Sequence, residues 1–251
     1  FTMFEAGDHF VLSLDIYGGT SRSINYIFNK FGFEATFVDT TDLQQIEAAV
    51  RPNTKAIFIE TPSNPLLEVT DIRGVVAIAK RHNLLSMVDN TFMSPVLQRP
   101  LELGADIVLH SATKFLGGHN DIIAGAVVVN SDELAEKISF AQVAIGAILS
   151  PFDSWLLLRS MKTLKLRVEK AQANTLKLLD FLRSHPEVEK VYYPTEAHNK
   201  GKAVHESQAS GGGSVFSFTV KSEAKAKAFF ESLKVALFAV SLGGVETLVT
   251  H

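Results

Sequence analysis

The chain has 251 residues, 46% of them apolar and 20% charged, with a formal net charge of −3 and no cysteine. Such a composition suits a globular protein with a substantial core, and it excludes disulfides, thiolate metal sites and a cysteine nucleophile. With no Lys/Arg block, no apolar run of ~20 residues and no signal-peptide pattern, neither nucleic acid nor a membrane is an expected partner, and a cytoplasmic location is expected.

The chain opens abruptly. Phe1 is no initiator, "FTMFEAGDHFVLS" reads as the middle of a helix–strand unit, and the sequence stops at His251 after "GVETLVTH", so we expect a partial chain lacking both ends. The first predicted strand is "HFVLS" (9–13). Ile24, Ile27, Phe28 and Phe31 then recur at helical spacing before a strand at "ATFVD" (35–39). A shorter stripe of Leu43, Ile46 and Val50 leads to "KAIFIE" (55–60). Thr70 stands as an N-cap before a helix built on Ile72, Val75, Val76 and Ala79. Strands follow at "LLSMVD" (84–89), "DIVLHS" (106–111) and "AGAVVVN" (124–130). Most of these runs are continuously apolar, as in a parallel sheet covered on both faces, so the fold class is α/β with a mostly parallel sheet sandwiched by helices.

Beyond residue 150 the texture changes. Trp155, Leu158, Met161, Leu164, Val168 and Ala171 predict one long helix from Pro151 onward. "HPEVEKVYYP", a glycine-rich "SGGGSVFSFTV", a helix around "AKAKAFFESL" and a final short strand suggest a smaller α+β C-terminal domain. "SGGGS" reads either as a linker or as a tight turn into a strand, and the alternation that follows favours the turn. The division expected is a large domain over 1–160 and a small one over 161–251.

In open α/β sheets ligands bind beyond the carboxyl ends of the strands. Four strand ends here empty into polar turns: "DIYGGT" (15–20), "ETPSNP" (60–65), "VDNTF" (88–92) and "HSATKFLGGH" (110–119). Asp89 ends a buried strand, where a carboxylate needs a cationic or hydrogen-bonding partner; a helix cap or ion pair would also satisfy it. Ser111 and Thr113 offer hydroxyls for an anion, or ordinary turn chemistry. Lys114 is a surface charge or an amine whose pKa apolar surroundings lower, as imine chemistry requires. Tyr17 is a loop anchor or a flat ring for a planar ligand. Taken together, an anion cradle, an amine, an acid and an aromatic face are what pyridoxal 5'-phosphate demands.

"DIYGGTSR", "ETPSNPLLEVTDI", "VDNTFMSPVLQRPLELGADIVLHSATKFLGGHND" and "FAVSLGGVETL" resemble the Cys/Met-metabolism family of pyridoxal-phosphate enzymes, which holds cystathionine β-lyases, cystathionine γ-lyases, cystathionine γ-synthases and methionine γ-lyases. The resemblance covers essentially the whole chain. It implies the fold-type I transferase-like architecture and a homotetramer of two active dimers. It implies Lys114 as the residue that condenses with the cofactor aldehyde, Asp89 on the pyridine nitrogen and Tyr17 stacked on the ring. It also implies Asn64 near the ring hydroxyl, Ser111 and Thr113 on the phosphate, Thr91 beside the cofactor, and Ser241 near the substrate carboxylate. The family's phosphate-capping Ser-Gly-Met/Leu turn and its Tyr-x-Arg pair are expected before Phe1, and its carboxylate-binding arginine beyond His251.

Within the family, Val240 stands where γ-lyases and γ-synthases commonly carry glutamate, and Gly19 stands where methionine γ-lyases typically carry cysteine. Both features resemble the Gram-positive cystathionine β-lyases, implying β-elimination of L-cystathionine to homocysteine, pyruvate and ammonia. Other classes fit less well. A dinucleotide enzyme needs G-x-G-x-x-G after its first strand, which is absent. A metal hydrolase would have to use Asp89, His110 and His119, whose spacing fits no common ligand motif. A scaffold with a relic lysine cluster is the third alternative.

Overall fold

The computed structural model describes residues 3–251; Phe1 and Thr2, where the abrupt opening was read, lie outside it. The alternation of apolar runs and amphipathic stretches folds, in order, as β1 (His9–Ser13), α1 (Gly18–Tyr26), β2 (Glu34–Val38), α2 (Leu43–Ala49), β3 (Thr54–Glu60), α3 (Ile72–Arg81), β4 (Leu85–Asp89), the short α4 (Ser94–Leu97), β5 (Ile107–Ser111) and β6 (Gly125–Val129). The six strands form one sheet in the order β2-β1-β3-β4-β5-β6. All neighbours run parallel except β6, which returns antiparallel to β5.

One face of this sheet is sealed. Val11, Ile57, Ile59 and Val88 pack on Ile46 of α2 and on Ile72, Val75, Val76 and Ile78 of α3, all buried. Each such side chain contributes about 1.5–3 kcal/mol relative to exposure. On the other face Phe10, Leu12, Phe58 and Met87 meet Phe4, Ile24, Phe28 and Phe33 around an apolar cavity of about 520 Å³.

The chain continues through α5 (Asp132–Ile145), α6 (Pro151–Met161), α7 (Leu164–Ser184), β7 (Val188–Tyr192), α8 (Lys202–Gln208), β8 (Ser217–Val220), α9 (Glu223–Ser232), β9 (Leu237–Phe238) and β10 (Leu248–Val249). β7 and β8 form an antiparallel ladder, and β9 and β10 a parallel one. No helix among the described residues is long and apolar enough to cross a membrane.

Three expectations are corrected. The stripe through Ile24, Ile27, Phe28 and Phe31 is not one helix. α1 ends at Tyr26, Ile27 turns half-exposed to solvent, and a 3-10 turn over Phe28–Phe31 closes on Gly32 at φ +83°. The long helix predicted from Pro151 is broken at Lys162–Thr163. There the Thr163 hydroxyl donates to the Ser160 carbonyl at 3.1 Å and accepts from Arg167 Nε at 3.1 Å, tightening the last turn of α6. The apolar spacing stays in phase across the break, so periodicity alone does not show it. The cap of α3 is Asp71, whose carboxylate accepts from Gly74 N at 3.1 Å; Thr70 instead shares a hydrogen bond with the Thr40 hydroxyl at 2.8 Å. The glycine run is packed rather than a linker: Tyr193 donates to the Gly213 carbonyl at 2.8 Å, and a Cβ at Gly212 would lie 2.4 Å from the tyrosine ring.

Candidate active site

The carboxyl ends of β3, β4 and β5 lie side by side, and register decides which side chains share a face. Glu60 pairs with Asp89, and Asp89 with Leu109, so the two carboxylates project from the same face of adjacent strands. Asp89 accepts from the Thr91 amide at 2.9 Å, and the Thr91 hydroxyl accepts from Ser111 N at 2.8 Å, which ties the end of β4 to the end of β5. Behind them Asn90 is buried. Its side-chain nitrogen donates to the carbonyls of Ser94 (3.2 Å) and Gln98 (2.8 Å), while Gln98 donates to Asn90 Oδ1 (2.9 Å) and to the Thr61 carbonyl (3.1 Å). This network, which leaves only the buried Gln98 Oε1 without a partner, ties the turns after β3 and β4 together.

After β5 the chain tightens around Lys114. Thr113 donates to the Ala124 carbonyl at 3.3 Å and accepts from Ala124 N at 3.0 Å, so its hydroxyl proton is spent on the turn. One acceptor position remains for a ligand. Arg167 of α7 donates to the carbonyls of Phe115 (2.7 Å) and Ser160 (3.0 Å), clamping the segment that carries the lysine. Lys114 is half-buried, and burial pulls its amine below the usual lysine range. Nζ donates to Ser241 Oγ at 3.2 Å, a partner 127 residues later in the chain. Close approach makes this possible: a Cβ on Gly243, whose φ is +81°, would stand 2.6 Å from Phe115 N.

Tyr17 precedes α1, exposed, with its main-chain N–H donating to Glu60 Oε2 at 2.8 Å. A Cβ on Gly19 would sit 2.3 Å from the tyrosine ring, so only glycine lets the ring lie where it does. Asn64 is exposed in the turn after β3, between the cis prolines Pro62 and Pro65. Val240 is 88% exposed and Ser241 is half-buried.

Of the residues predicted from sequence, Lys114 and Ser241 are brought into contact. Asp89, Thr91 and Ser111 are joined by hydrogen bonds, and Tyr17 reaches the Asp89 neighbourhood through Glu60. Thr113 is occupied largely with its own turn; Asn64 and Val240 stand in exposed loops. Two residues were missed. Glu60 carried the same signal as Asp89, a carboxylate ending an apolar strand. Arg167 sat unremarked in an amphipathic helix. His110 and His119 form no metal cluster with Asp89, and no group of three metal-ligating residues occurs among the described residues.

The residues fit pyridoxal phosphate. Burial raises the Asp89 carboxyl above its ordinary range, and no lysine, arginine or histidine forms an ion pair with it among the described residues. A buried acid without a cation is one that a pyridinium would complete. The Lys114 amine, its basicity lowered by burial, is suited to an aldehyde.

A mostly parallel layered sheet with a lysine, an acid and an aromatic side chain at its strand ends defines a fold-type I cofactor enzyme. The whole chain, residues 1–251, matches the family described as Cys/Met metabolism PLP-dependent enzyme, and the protein belongs to it. It is 49% identical to the cystathionine gamma-lyase of Bacillus subtilis over 99% of this chain and 65% of that one. It is 47% identical to the cystathionine beta-lyase MetC of the same organism over 100% of this chain and 64% of that one. The crystal structure of a cystathionine gamma-lyase from Lactobacillus plantarum complexed with L-serine superposes with a TM-score of 0.97 at 48% identity, covering 100% of this chain and 66% of that one. The chain thus spans slightly less than two thirds of these relatives.

Proposed function

We propose that the full polypeptide is a carbon–sulfur lyase of sulfur amino-acid metabolism that cleaves L-cystathionine by β-elimination to homocysteine, pyruvate and ammonia. The Lys114–Ser241 contact carries the reading, because it places an amine of lowered basicity beside a hydroxyl at the end of a sheet that also holds a cation-free buried acid. When bound, pyridoxal phosphate supplies the electron sink that stabilises negative charge at the substrate α-carbon.

The chain's own residues do the rest. Asp89, oriented by the Thr91 amide, holds a proton at the pyridine nitrogen. Tyr17 packs its ring against the planar group. Ser111 and Thr113 line the phosphate end, where the Thr113 hydroxyl donates once it turns from the Ala124 carbonyl; Thr91 lies beside the cofactor, and Asn64 reaches the ring hydroxyl. Lys114 Nζ, once free as an amine, takes the proton from the substrate α-carbon and returns it where the bond breaks. Ser241 orients that amine and faces the substrate carboxylate.

Val240 supports β- over γ-elimination, since an exposed valine offers no base at the position where the resemblance puts glutamate in γ-enzymes. γ-Elimination is the second reading, supported by the similarity to cystathionine gamma-lyases. A homotetramer is also proposed, supported by the exposed apolar side chains Phe140, Val143, Phe152, Trp155 and Leu158 along α5 and α6. Incubation of the full polypeptide with L-cystathionine decides the reaction: pyruvate with homocysteine is expected, and 2-oxobutyrate with cysteine would overturn it.

A further inference from the structure

Glu60 is 7% exposed, yet it forms no ion pair among the described residues. Its amide donates to the Ser13 hydroxyl at 3.3 Å, and its Oε2 accepts the main-chain N–H of Tyr17 at 2.8 Å. The charged groups that act on it are carboxylates: Asp89, its register partner on β4, and Asp15, in the turn after β1. Two ionised carboxylates side by side in a desolvated sheet end repel strongly, so one of them keeps its proton. Asp89 has the Thr91 amide aimed at it and a site for a cation beside it. Glu60 likewise accepts one main-chain N–H, from Tyr17, but it lacks the second hydrogen bond that the Thr91 side chain gives Asp89 and has no site for a cation. Burial together with the Asp89 charge pushes its carboxyl up to about 7.

We propose that Glu60 is a positioning residue of this site, a neutral prop whose carboxyl oxygen holds the Tyr17 main chain and whose retained proton leaves Asp89 as the ionised carboxyl at the strand ends. Tyr17 begins α1 without any side-chain cap. The bond to Glu60 therefore links the strand-end acids to the segment that presents the ring. Glu60 never touches the cofactor; it acts through Tyr17 and Asp89.

This inference rests on the cofactor site described above, and three variants of the full polypeptide test it. Glu60→Gln keeps an acceptor oxygen and is always neutral, whereas Glu60→Ala loses the acceptor. By equilibrium dialysis against pyridoxal phosphate, the glutamine variant is expected to stay within about twofold of wild type and the alanine variant to bind at least about fivefold more weakly, the loss of one hydrogen bond. The visible circular dichroism of the bound cofactor, which reports ring orientation, changes with alanine and not with glutamine. A difference titration of cofactor-free wild type against Glu60→Gln shows one group near neutral pH. A smaller loss with alanine, a glutamine variant as weak as alanine, or no such group would each overturn the role of Glu60. Lys114→Ala separates the two readings: a protein that keeps its borohydride-bleachable absorbance band without Lys114 sinks the cofactor site itself. Loss of that band with unchanged affinity in Glu60→Ala sinks the prop alone.

Discussion

The ends of β3, β4 and β5, which carry the acids and hydroxyls, and the turn between β9 and β10, which carries Ser241, are built differently. At the strand ends Asp89, Thr91, Ser111 and Lys114 are anchored by the sheet register, by the buried Asn90–Gln98 network and by the Arg167 clamp. The 240–246 turn rises from a ladder of two residues per strand, and Val240 is almost fully exposed. The lysine, the acid and the hydroxyls of Thr91 and Ser111 therefore stand on well-tied, partly desolvated backbone, while the position proposed to choose the reaction stands on a thinly supported loop. Such a division lets a family keep one chemistry and vary its outcome by loop substitution.

That contrast breaks first at Lys114. Lys114→Ala is expected to remove the absorbance band and to lower elimination by about a thousandfold or more, measured as pyruvate release. Asp89→Asn keeps the shape but loses the charge, and a fall of roughly a hundredfold in kcat is expected in steady-state assays. Arg167→Ala leaves the Phe115 carbonyl without its donor and removes the tie from that carbonyl to Ser160, which keeps its Thr163 donors, and a loss of about 2 kcal/mol in urea unfolding follows.

A comparable effect comes from pH. The Glu60 carboxyl is raised from 4.5 to about 7 on folding, so the folded state binds more protons than the unfolded state between those values. Stability then falls as pH rises through that window, by about 3 kcal/mol, and levels off above it. In Glu60→Gln the Glu60 share of that slope is absent, read as the difference from wild type in denaturant titrations run from about pH 4.5 to 7.5. The smallest effect belongs to the loop. Val240→Glu changes stability by less than about 0.5 kcal/mol, yet shifts the product ratio towards 2-oxobutyrate. An unchanged ratio would remove the turn from the choice of reaction.

The sheet was legible because its strands are uniform apolar runs whose ends turn polar; all six lie within a residue or so of their predicted bounds. The helices were less so. Ile27 and Thr163 interrupt α1 and the α6–α7 run without disturbing the apolar spacing, since a 3-10 turn and a hydroxyl–carbonyl bond are decided by local hydrogen bonding. In the site, Lys114 and Asp89 announced themselves by their place at strand ends. Glu60 stood in the same place and was passed over, because only the β3–β4 register shows that it neighbours Asp89. Arg167 became visible only when α7 was laid against the turn after Lys114.

The bond from Lys114 to Ser241 has a consequence in time. At roughly 5–20 residues per second, a ribosome delivers the serine about 6–25 s after the lysine, since 127 residues separate them. For that interval the amine lacks the hydroxyl that holds it in the folded chain. The contact is thus among the last in this part of the site that synthesis allows.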